Sequence, residues 1–138
     1  MRMLDDDFQP SAVWLAQIAL WIQAAIGLVS TCVLAALWNG LARSGFPSGL
    51  IALILAAVLT ISAVDLACFR RLGRRSRRAR GTAVATQVVT MAATAVGVLP
   101  AQNAGSATLI CGGLVVFALA LTTVVALNRP AARTWLIW

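Results

Sequence analysis

Long uncharged stretches alternate along this chain with short breaks rich in charge or turn formers. Charge falls at 2, 5 to 7, 43, 65, within 70 to 80, 129 and 133, leaving Phe8 to Ala42, Ser44 to Val64 and Gly81 to Asn128 uncharged. A bilayer crossing takes about 20 apolar residues as a helix, so each of the first two stretches predicts one crossing. The third would be about 70 Å long as one helix at roughly 1.5 Å per residue, and must fold back on itself. Leu99-Pro100-Ala101-Gln102-Asn103-Ala104-Gly105-Ser106 gathers proline, glycine and amides for that turn, and Asn39-Gly40 through Phe46-Pro47-Ser48-Gly49 parts the first two helices. The pattern predicts helices over 11–38, 48–69, 81–99 and 105–128, in a single transmembrane domain spanning 1–138. The expected fold is an all-α integral membrane four-helix bundle. Frequent Val, Ile and Thr do not argue for strands, because in lipid a helix satisfies its own backbone and an open sheet cannot.

Composition sharpens this. The chain is 61% hydrophobic and 11% charged, whereas a water-soluble domain carries roughly a quarter charged residues. All positive charge is arginine, and the formal net charge is +7. Cytoplasmic loops retain positive charge, so the segment 70–80 is expected inside, and with four helices both termini are cytoplasmic too. Arg43 alone then lies outside, a bias that argues against dual topology. The expected location is the bacterial cytoplasmic membrane, as a multi-pass protein. Asp5-Asp6-Asp7 ahead of a run long enough to span is unlike a cleavable signal, so helix 1 is expected to be retained. Trp14, Trp38, Trp135 and Trp138 fall near the expected interfaces, while Trp21 lies deeper and is read as a packing residue.

The basic loop 70–80 holds Arg70, Arg71, Arg74, Arg75, Arg77, Arg78 and Arg80. Each could contribute on the order of 1 kcal/mol beside an anionic leaflet, so anionic lipid, or an acidic partner, is the expected contact. Nucleic acid is not, since no aromatic platform or groove-reading helix accompanies the charge. The stretch ending in Ala79-Arg80 and leading into an Ala/Thr/Val helix resembles the Arg-rich turn between helices 2 and 3 of uncharacterised small four-helix membrane proteins of high-GC actinobacteria. Those carry a Trp where Arg78 stands. The resemblance implies the four-helix fold and no activity.

Inside the membrane, Asp65 stands about 7 Å below Arg70 at helical rise, Thr86 about 9 Å below Arg80, Gln17 about 10 Å from Pro10 and Thr123 about 9 Å from Arg129. Gln87 adjoins Thr86. These five residues predict a polar layer at one depth near the cytoplasmic side, with an intramembrane carboxylate as its centre. Hydrogen bonding across helices to fix register is the structural alternative, and Asp65 could also reach Arg70 and Arg71. Gly81, Ala85, Val89, Ala93 and Gly97 recur every fourth residue beside Thr82, Thr86, Thr90 and Thr94, which predicts close helix packing, in the bundle or against another subunit, with threonines bonding across it. Ala19, Gln23, Gly27, Thr31 and Ala35 repeat the pattern on helix 1.

The chain has no His, Glu or Tyr, and Cys32, Cys68 and Cys111 are isolated. No acid/base pair, metal cage or redox CxxC is expected, nor any cofactor. Cys68, beside the basic loop, is a candidate for acylation. After Pro130, the segment Arg133-Thr134-Trp135-Leu136-Ile137-Trp138 reads as a surface anchor or partner-binding tail. The leading expectation is a noncatalytic accessory or scaffold subunit of a larger membrane protein, or a homo-oligomer, seated in the lipid bilayer. The alternative is a small transporter or channel component with Asp65 in a cytoplasm-open cavity.

Overall fold

The computed structural model describes residues 10–45, 47–103 and 107–136, the side chains at 41, 97–103 and 108–109 aside. Expectations for Arg2, Asp5 to Asp7, Trp138 and the turn residues 104–106 lie outside them. Among the described residues all regular structure is helical: α1 (Ser11–Ala36), α2 (Trp38–Arg43), α3 (Ser48–Leu72), α4 (Arg77–Asn103), α5 (Ala107–Asn128) and α6 (Pro130–Trp135). Three helices, Ser11–Ala36, Ser48–Leu72 and Ile110–Asn128, are long and apolar enough to cross a membrane.

The boundaries differ from expectation in instructive ways. Pro10 stays outside α1 in an extended conformation, its carbonyl accepting from Val13 and Trp14 backbone N–H. Helix 1 hardly ends at all: Leu37 donates to the Val33 carbonyl at 3.0 Å and α2 carries the helix on. Gly45, at φ +92°, ends it, in the left-handed region that glycine enters without steric cost.

The expected loop 70–80 shrinks to a turn. Arg70 and Arg71 form the last turn of α3, where positive charge suits the helix C-terminus. Arg77, Arg78 and Arg80 lie in the opening turn of α4. Ser76 makes that early start feasible, accepting the Ala79 N–H on its hydroxyl at 3.4 Å as an N-cap. At the far end α4 runs through Pro100 to Asn103, so the turn starts later than Leu99.

α1 packs against α3 and α5, and α4 packs chiefly against α5 and less against α3. Gly27 permits the α1–α3 approach, since a Cβ there would run into the Ser62 hydroxyl. The buried apolar core gathers at the arginine end, in Ala16, Leu20, Cys68, Leu72, Ala79, Ala83, Ala126, Leu127 and Leu136. Toward the other end Leu28, Val29, Val33, Leu53, Val96 and Leu114 are exposed, as side chains facing lipid would be.

The segment expected as a surface anchor or partner-binding tail is described through Leu136, and its helix α6 packs onto the bundle. It folds back against α5 and α1, buries Ala132 on Ala12 and Val13, and inserts Leu136 into the core beside Leu72. Trp135 packs there too, with the Arg75 guanidinium 5.0 Å from its ring. The tail thus plugs the arginine end of the bundle.

Candidate functional site

The polar side chains of α3 and α4 meet at one contact: Gln87 Nε2 donates to Asp65 Oδ1 at 2.9 Å, both residues fully buried. α3 presents Asp65 inward because Ser62, Asp65, Cys68 and Leu72 share one stripe at three- and four-residue spacing, all buried. α4 presents Gln87 on the corresponding stripe of Ala79, Ala83, Gln87 and Thr90. Asp65 therefore turns away from Arg70 and Arg71, which are exposed, and the expected arginine contact is not made.

The predicted layer holds only in this pair. Gln17 sits nearer the arginines, its Nε2 donating to the Phe69 carbonyl at 3.2 Å, and so ties α1 to the last turns of α3. Thr123 is fully buried but donates to Leu119 on its own helix. Thr86 is half-buried and likewise donates to Thr82. Thr82, Thr90 and Thr94 also spend their hydroxyl protons on the carbonyl four residues back, at 3.0, 2.9 and 2.7 Å. Threonines therefore bond along α4 rather than across it. The Gly81, Ala85, Val89 and Ala93 face is exposed, so it does not pack inside the chain.

Beyond the Asp65–Gln87 pair, away from the arginines, lies a cavity of about 310 Å³. Asp65, Ser62, Ile61 and Val58 of α3 line it, with Gln23, Ile26, Gly27 and Ser30 of α1 opposite. Thr90, Ala93 and Thr94 of α4 and Val116 of α5 complete the wall. Asp65 Oδ2 has no hydrogen-bond partner among the described residues, and neither has Gln23 Nε2 or Oε1. Both side chains are more than nine-tenths buried. A buried polar group left without a partner costs about 1–3 kcal/mol, so the cavity that these two residues line is a place where a polar occupant within their reach would be stabilising. Leu20, Leu72, Leu127 and Leu136 pack at the arginine end, and the cavity that Asp65 lines lies on the other side of it from the arginines.

From the sequence, Gln23, Thr90 and Thr94 fall in packing stripes, and Ser62 is given no role. The signal was present: Ser62 stands three residues before Asp65, and Thr90 and Thr94 three and seven after Gln87, the spacings that share a helix face.

The arginines divide into two sets. Arg80 donates from Nε to the Leu127 carbonyl at 3.0 Å and from Nη2 to Asn128 Oδ1 at 3.1 Å, capping α5. Arg75 stacks on Trp135. Arg70, Arg71, Arg74, Arg77 and Arg78 are exposed and free to face headgroups. Cys68 is buried in the core, which removes it as an acylation site, while Cys32 and Cys111 are exposed. Trp21, expected to pack, is 56% exposed. No group of His, Cys, Asp and Glu among the described residues is arranged to hold a metal ion.

No protein-family model, curated protein or solved structure matches the chain.

Proposed function

We propose that this chain is a small noncatalytic protein of the bacterial cytoplasmic membrane, with α1, α3, α4 and α5 crossing it as a four-helix bundle and both termini cytoplasmic. Its task on this reading is to bind a polar solute within the membrane as a transporter or channel component. The observation that carries it is a cavity lined by Asp65 and Gln23, two buried side chains whose Oδ2 and carboxamide atoms have no hydrogen-bond partner among the described residues. An intramembrane carboxylate on a cavity marks a solute pathway more often than a packing contact alone would. On this topology the Leu20, Leu72, Leu127 and Leu136 cluster lies between the cavity and the cytoplasm.

The test is charge movement. Concentration jumps of ammonium, guanidinium and amino acids over proteoliposomes on a solid-supported membrane should evoke transient currents that Asp65→Asn abolishes. Silence with every solute, from protein that is folded and correctly oriented, would overturn the reading.

A second reading, the accessory subunit, is favoured by the exposed Gly81 and Ala85 of α4, since small residues let another helix approach. It predicts a stoichiometric membrane partner in gentle detergent that is lost on Ala85→Leu.

A further inference from the structure

The cavity's hydrogen-bonding character is lopsided, and the imbalance selects a ligand. Ser62 Oγ donates to the Val58 carbonyl at 2.8 Å, and the Thr90 and Thr94 hydroxyls donate to Thr86 and Thr90. With their protons committed, these three oxygens can only accept. Asp65 Oδ2 is a further acceptor, Gln23 supplies one acceptor and an uncommitted amide, and Ser30 supplies a hydroxyl, so acceptors outnumber donor groups in the lining.

A site of this kind has only the Gln23 amide and the Ser30 hydroxyl as donor groups, and its one formal charge is that of the Asp65 carboxyl group. An anion would meet the carboxyl with one amide and one hydroxyl to offset it. A neutral alcohol would satisfy one or two acceptors and leave the charge unpaired, at the cost that attends a buried unpaired charge. A bare metal ion would need several oxygens converging within a coordination sphere, whereas about 310 Å³ with Ile26, Val58, Ile61 and Val116 in its wall is roomy and largely apolar. An ammonium group has three N–H donors and no acceptor, and a small hydrocarbon body would cover the apolar wall.

Resting on the solute-binding reading above, we infer that the cavity binds a protonated primary amine carrying a small apolar group, its ammonium on Asp65 and the neighbouring hydroxyl oxygens. Ser62 and Gly27 set the width at that point, because α1 and α3 touch there.

The test uses the full chain in lipid nanodiscs and three matched probes, 4-fluorobenzylammonium, 4-fluorobenzyl alcohol and 4-fluorobenzoate, followed by fluorine NMR against empty nanodiscs. The ammonium should bind saturably, with the alcohol and the carboxylate far weaker. Asp65→Asn should weaken it on the order of tenfold or more, as loss of one partner of a buried charge pair does. Should Asp65→Asn fail to fold by thermal melt, Gln23→Leu and Thr90→Val carry the test, each weakening the ammonium about threefold or more, the scale of one lost hydrogen bond. Equal binding of alcohol and ammonium, or wild-type affinity in a folded Asp65→Asn protein, would overturn the amine assignment and leave a solute site standing. Absence of binding by all three probes would remove the inference and the solute-binding reading together.

Discussion

At the residue scale, two contacts hold the middle of the bundle together, and each makes a measurable claim. Gln87 gives Asp65 its one hydrogen bond, at 2.9 Å. A double-mutant cycle over Asp65→Ala and Gln87→Ala, read by unfolding in mixed micelles, should return a coupling of about 0.6 to 1.7 kcal/mol, the span found for such bonds between membrane helices. Gly27 faces Ser62 with no room for a Cβ. Gly27→Val should therefore lower stability by about 1–3 kcal/mol, as overpacking does. Adding Ser62→Gly should restore part of that loss in the melting temperature, because it removes the atoms the new side chain strikes. A Gly27→Val protein as stable as the parent would show that α1 and α3 are not in contact there.

At the element scale, α6 and the α3–α4 turn act as one closure. Arg80 satisfies the exposed end of α5, whose final carbonyls have no partner within the helix. Arg133 adds a bond to Asn128 Oδ1 at 3.3 Å from α6. Hydrogen bonds to a charged group contribute about 1.5–3 kcal/mol, so Arg80→Gln should destabilise by that order and speed hydrogen exchange over residues 124–136. Arg77→Gln and Arg78→Gln, both exposed, should stay within about 0.5 kcal/mol of the parent. Equal effects from all three would mean that Arg80 is only another surface charge. Seen from the sequence, seven arginines in a dozen residues look equivalent. Their division depends on which side of α4 meets α5, and nothing in the local composition states that.

At the scale of the whole molecule, the exposed set Arg70, Arg71, Arg74, Arg77 and Arg78 should govern the lipid environment. At about 1 kcal/mol per arginine near an anionic surface, replacing all five with Gln should strip most co-purifying anionic lipid, as counted by native mass spectrometry. In the parent, salt should have the same effect. Lipid retention unchanged in the five-fold variant would end that role. Orientation has its own check: with the native cysteines replaced, Arg43→Cys should react with an impermeant thiol reagent in intact cells, and Arg74→Cys only after permeabilisation. The reverse pattern would invert the proposed topology and place the cavity mouth on the cytoplasmic side.

The all-helical class and the rough extent of the long helices could be read from the chain because charge and turn residues cannot sit in hydrocarbon, so their spacing along the sequence maps the segments that can cross it. The positions 11, 48 and 128 at which helices begin or end agree with that map. The meeting of Asp65 with Gln87 could be anticipated for a similar reason, since buried polar groups in lipid seek each other. Rotation about each helix axis is another matter. A helix that is apolar all round carries no polar face to mark its outside, so neighbours alone set which stripe turns inward. That is why Trp21 faces out against expectation, why the Gly81, Ala85 and Val89 stripe faces outward and not into the bundle, and why Gln17 clasps Phe69 instead of joining Asp65. The leucine packing at the arginine end, the fold-back of α6 and the cavity with its acceptor-rich wall all follow from rotation and packing. They belong to the tertiary structure, because each depends on residues far apart in the chain arriving at the same place.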